Sequence, residues 1–122
     1  PNGENLVDPN SESSSQQVPI KNYTNNLIWL VERMKETGAK LIWRNTTPVP
    51  EGAKGRVVGD SENYNNAAME VMSKYSIETN DLYNFAKNNW GRVGREADVH
   101  FTPKGSTPIF FASRVCGSAP LR

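Results

Sequence analysis

Ala39-Lys40-Leu41-Ile42-Trp43, entered through Gly38 and left through Asn45-Thr46-Thr47-Pro48, is the stretch on which the fold turns. A glycine, a two-residue link and a short continuous apolar run form the helix-to-strand step of a parallel sheet covered by helices on both faces. The segment before it supplies the helix. Ile20, Tyr23, Leu27, Leu30, Val31 and Met34 recur at helical spacing and make one apolar stripe of about four turns. Pro19 suits the first turn, Gly38 the position just past the end, and Lys35 the negative end of the dipole. Trp29 lies at the border of the stripe. After Trp43, the prolines of Thr47-Pro48-Val49-Pro50-Glu51-Gly52 cannot continue a central strand. Ligands of parallel α/β sheets bind outside the carboxyl ends of the strands, which makes Asn45, Thr46 and Thr47 candidate substrate-binding residues. Termination of a strand by two threonines before a proline accounts for them equally well.

Downstream the same alternation continues. Tyr64, Ala67, Ala68, Val71, Met72 and Tyr75 are spaced as a second helix. Gly59-Asp60-Ser61 just before it has the look of an esterase nucleophile turn. The short interval to the lone histidine, His100, leaves no room for the separate strand ends and oxyanion loops that such a pair requires. Asp60 or Ser61 is therefore expected to be an N-cap. A second helix-to-strand step, again parallel, is expected near Ile77. A short helix through Leu82, Phe85 and Ala86 follows, capped by Asn80 or Asp81. Gly91 to Glu96 is expected to be a charged loop. Thr107-Pro108 is expected to provide the cap and first-turn proline of a last helix.

Composition narrows the function. The 122 residues make one domain at most and carry a net charge of +1, which excludes the basic field that nucleic acid demands. No stretch approaches the ~20 apolar residues of a membrane span. Cys116 cannot form an internal disulfide and is expected to be a small buried hydrophobe; no Cys/His cluster exists to hold a metal, and no cofactor is expected. Asn22-Tyr23-Thr24 and Asn45-Thr46-Thr47 match the glycosylation sequon, which matters only in a eukaryotic secretory context. Residues 1–18 are nearly devoid of apolar side chains and are expected to be a polar loop or arm; residues 117–122 are expected to be a tail. Pro1-Asn2-Gly3-Glu4 has neither an initiator Met nor the regions of a signal peptide, which sets the expectation of an upstream portion.

The chemistry points to Asp98-Val99-His100-Phe101-Thr102-Pro103-Lys104-Gly105. It contains the chain's one histidine, two positions after a carboxylate. Histidine titrates nearest neutral pH, and an acid on the same face of an extended backbone can orient its ring for proton transfer. A turn or cap arrangement is the structural alternative.

Taken in order, the long helix, Ala39-Lys40-Leu41-Ile42-Trp43, Thr46-Thr47-Pro48-Val49-Pro50-Glu51-Gly52, Tyr64-Asn65, Asn80-Asp81-Leu82-Tyr83 and the block Asp98 to Ser106 resemble the C-terminal half of SGNH/GDSL-type hydrolases. The likeness covers about residues 18 to 116, and the final block is its most specific part. It implies an α/β class: part of a three-layer α/β/α, flavodoxin-like parallel sheet, incomplete in this chain, over residues 19–116. It implies ester hydrolysis by a Ser-His-Asp triad. His100 matches the catalytic base. The usual acid position, three before the histidine, is Ala97 here, so the orienting group is Asp98, a backbone carbonyl or another acid, with Glu96 next after Asp98. The family's serine and its oxyanion glycine and asparagine lie upstream of the matched region.

The resemblance thus implies a partner, the upstream half of the same domain, and a small ester or acylated carbohydrate (acetyl esters included) as substrate. Alone, the chain is expected to be inactive and to self-associate through an exposed sheet edge. The alternative is a non-catalytic ligand- or partner-binding module on the same frame. There Trp29, Trp43 and Trp90 would be a sugar platform, although core packing is their commoner use.

Overall fold

Helix α1 (Ile20–Lys35) opens on Pro19, whose carbonyl accepts from the Tyr23 amide at 2.9 Å. The proline thus stands one position outside the first turn, where its missing N–H still costs nothing. The computed structural model describes residues 16–115, with side chains described to residue 110. Most of the expected arm, the tail and Cys116 lie outside that range. Past the end of α1, Gly38 takes a φ of +74°, a left-handed conformation open to glycine at little cost. Leu27 and Val31 are buried, whereas Leu30 and Met34 remain 44% and 38% exposed. The buried stripe is narrower than expected because every residue from Glu32 to Lys40 is exposed.

Strand β1 (Ile42–Arg44), helix α2 (Asp60–Lys74) and strand β2 (Glu78–Asn80) follow, and the two strands pair in parallel with Trp43 opposite Thr79. Both expected helix-to-strand steps are present, and the chain is a mixed α/β structure. One expectation fails here. The apolar run was expected to be covered on both faces, but Ile42 stays 40% exposed while Trp43 turns inward. Trp43 joins Leu27, Val31, Ala68, Val71 and Met72 in the core between α1, α2 and the strands. Each of the leucine, valine and methionine side chains contributes about 1.5–3 kcal/mol when fully withdrawn from water.

The start of α2 corrects the capping expectation. Gly59 occupies the cap at φ +88° with no side-chain cap bond, and its carbonyl accepts from the Glu62 and Asn63 amides at 3.2 and 3.3 Å. Asp60 and Ser61 therefore stand inside the first turn. Asp60 Oδ1 accepts from Gln16 Nε2 at 2.9 Å, and Ser61 is buried.

Helix α3 (Leu82–Asn88) is capped by Asp81, whose side chain accepts from the Asn84 amide at 3.1 Å. The expected charged loop is instead a short helix, α4 (Trp90–Val93), running into an antiparallel hairpin of β3 (Gly94–Arg95) and β4 (Asp98–Phe101). Two local features permit this. A Cβ on Gly94 would strike the Trp90 indole, and Ala97 takes a φ of +50° in the turn.

Helix α5 (Pro103–Val115) begins earlier than expected. Thr102 and Pro103, not Thr107 and Pro108, supply the cap and first-turn proline: Thr102 Oγ1 accepts from the Gly105 amide at 2.9 Å. Pro108 lies inside the helix, where it forgoes the bond to the carbonyl four residues back. A second core of Leu82, Ala86, Val93 and Ile109, flanked by Phe85, Trp90 and Phe101, joins α3, α4, α5 and the hairpin. Among the described residues no helix is long and apolar enough to cross a membrane.

Candidate active site

Strand β4 brings the acid and the imidazole together. An extended backbone places residues two apart on the same side, and Asp98 Oδ1 lies 2.6 Å from His100 Nδ1. The same oxygen accepts from the His100 amide at 3.0 Å. A carboxylate can only accept, so the neutral ring meets it with Nδ1–H and keeps the lone pair on Nε2. These bonds hold the Asp98 carboxyl below the usual carboxylate range, the ring bond first and the amide second, with Arg95 Nη1 3.8 Å from Oδ2 adding to them. The His100 side chain is 75% exposed, so nothing seals it in the interior. Glu96 and Ala97 are exposed in the hairpin turn before the pair.

The three residues after β1 divide. Asn45 is buried and fully engaged: Nδ2 donates to Asp81 Oδ1 at 2.9 Å, and Oδ1 accepts from the Tyr83 amide at 2.8 Å. It ties the end of β1 to the start of α3. Burial pushes the Asp81 carboxyl up, but the bonds from Asn45 and Asn84 outweigh it and leave the group below its ordinary value. Thr46 is gripped through its backbone by Asn65, which accepts from its amide at 2.9 Å and donates to its carbonyl at 2.7 Å. Thr47 is half-buried.

Thr46 also borders a cavity of about 430 Å3 at the junction of α1, the loop after β1 and the start of α2. Its walls include Tyr23 and Tyr64, whose rings meet edge to face with centroids 5.0 Å apart. Tyr64 OH donates to the Val18 carbonyl, and burial followed by the neighbouring Tyr64 phenol raises the Tyr23 pKa. Asn26, Arg56, Asp60 and Ser61 complete the polar part of the wall. Ser61 Oγ is shut off from solvent with no hydrogen-bond partner, an arrangement that costs about 1–3 kcal/mol. Sequence reading missed this cavity, because its residues come from three elements and carry no shared spacing.

Neither Asp98 nor His100 lines the cavity. The loop that leaves its rim does reach the hairpin, since a Cβ on Gly52 would stand 3.0 Å from the Cβ of Ala97. Trp43 and Trp90 pack in the two cores, and Trp29 is exposed on α1. Among the described residues no group of three or more His, Cys, Asp or Glu side chains could hold a metal ion. Comparison with known protein families finds no match, and a search of curated proteins finds none.

Proposed function

We propose that this chain supplies the general base of a serine-type ester hydrolase of the SGNH/GDSL kind, acting on acyl esters that include acetylated carbohydrates. One observation carries the reading: the 2.6 Å contact of Asp98 Oδ1 with Nδ1 of a His100 side chain that stays 75% exposed. In that state the ring takes a proton from a serine hydroxyl and returns it to the departing alcohol, while Asp98 orients it and stabilises the imidazolium. The serine and the oxyanion donors come from the upstream half of the domain, in the same polypeptide or as a second chain, whose strands would extend β1 and β2 into the three-layer sheet. Without them the largest contributions to acyl transfer are missing.

The test mixes the chain with the upstream half of such a hydrolase and follows p-nitrophenyl acetate hydrolysis. Turnover should exceed that of either half, and His100→Ala should lower it by at least about 10³-fold. No gain on mixing would sink the proposal.

A second reading, a non-catalytic binding module, is favoured by the cavity, which is of a size to take a small molecule and does not include His100. Ligand affinity unchanged by His100→Ala, together with no esterase activity on mixing, would establish it.

A further inference from the structure

We infer that Asn22 is the site at which this fold accepts an N-linked sugar, and that the same modification at Asn45 is incompatible with the folded chain. The inference stands apart from the esterase proposal, since neither residue belongs to the acid–imidazole pair.

The sequence treats the two asparagines alike. Each has a threonine two positions on, in Asn22-Tyr23-Thr24 and in Asn45-Thr46-Thr47. The structure separates them. Asn22 is exposed in the first turn of α1, whose core side is carried by Leu27 and Val31 with Tyr23 and Ile28 packed beside them. A sugar on Asn22 therefore displaces no packed side chain and meets water. The end of a helix also opens locally at little cost, which offers a transferase extended backbone. The same fraying releases the Thr24 hydroxyl, which otherwise bonds the Ile20 carbonyl at 2.9 Å.

Asn45 is only 8% exposed. Its Nδ2 donates to Asp81 Oδ1 at 2.9 Å, and its Oδ1 accepts from the Tyr83 amide at 2.8 Å. In the transfer, the C1–O bond of a sugar diphosphate breaks and C1 bonds to Nδ2. The diphosphate leaves, and one amide proton passes to a base of the transferase. The product keeps one N–H, so the bond to Asp81 does not by itself forbid it; what the site lacks is room. Protein interiors leave few voids wider than a water molecule, and a sugar ring is far larger. To admit one, the end of β1 must part from the start of α3, which strands the Tyr83 amide. A chain glycosylated at both positions is thus not a folded chain.

The folded full chain would be treated with a soluble asparagine glucosyltransferase and UDP-glucose, with synthetic peptides of residues 18–28 and 40–50 as the unfolded references. Mass spectrometry reads each site. Both peptides should take glucose. In the folded chain Asn22 should react within about tenfold of its peptide rate. Asn45 should react at least about 10²-fold more slowly than its own peptide, because it opens only together with its surroundings. A second arm secretes the chain from a eukaryotic cell. The secreted protein should carry its glycan on Asn22 and none on Asn45. Thr47→Val removes the second sequon while keeping Asn45, and should raise the secreted yield several-fold, with its melting temperature in unglycosylated protein as the control for the substitution itself. Asn45 modified in the folded chain at its peptide rate, a secreted chain with a glycan on Asn45, or Asn22 as protected as Asn45 overturns the inference.

Discussion

At Asp98 one carboxylate oxygen serves two donors of a single residue, the amide and the ring of His100. The folded carboxyl consequently titrates below the unfolded one. The sign follows: the stabilisation is complete above about pH 4, the ordinary aspartate value, and is lost as pH falls through the lower folded value. The pair is solvent-exposed, so its effect on stability is small. The Tm difference between the parent and Asp98→Asn should be greatest near neutral pH and vanish in strong acid; a difference independent of pH would show that the pair is not ionically linked.

Asn45 makes the opposite case, a buried amide with both ends used. Asn45→Ala should cost about 2–3 kcal/mol in urea denaturation, since it strands the Tyr83 amide and removes a partner of Asp81. It should also raise the Asp81 pKa, because a bond that holds that carboxyl down is gone. A loss below about 0.5 kcal/mol would show that solvent reaches these groups.

Between elements, α5 meets α4 through a glycine. Gly105 is buried, and a Cβ there would collide with the Val93 backbone. Helix propensity alone favours Gly105→Ala by about 1 kcal/mol. Overpacking against backbone that cannot yield costs about 1–3 kcal/mol, so the net change should be destabilising. A stabilised Gly105→Ala in thermal melts would mean that α5 can slide away from α4. The same contact explains why α5 starts at Pro103. The Thr102 amide bonds to the Val93 carbonyl at 2.9 Å, and its hydroxyl caps the helix at Gly105.

For the whole molecule, the described residues contain two small sheets of two strands each, one parallel and one antiparallel. Strands β1 and β2 pair with each other and with no other described strand, so each leaves one edge open. Ile42, Leu30, Met34 and Trp29 add exposed apolar surface. Open edges and uncovered apolar area favour association. Sedimentation of the chain alone should show weight-average mass rising with concentration. A monomer at every concentration would show that the edges are protected, and would remove one support for a complementing half.

The amino-acid sequence by itself determined α1, α2, the two parallel strands, a cap for α3 at Asn80 or Asp81 and the meeting of Asp98 with His100. Each is a local matter of apolar spacing, capping chemistry or the two-residue repeat of extended backbone. Tertiary structure alone decided the rest. Gly59 displaced Asp60 and Ser61 from the cap, and the Trp90–Gly94 contact turned an expected charged loop into a hairpin. Packing against Val93 chose Thr102-Pro103 over Thr107-Pro108 as the start of α5. The cavity walled by Tyr23, Arg56, Asp60 and Tyr64 arises from residues far apart in the chain. No periodicity joins such residues; only the folding of α1 and α2 against one another brings them around a common space.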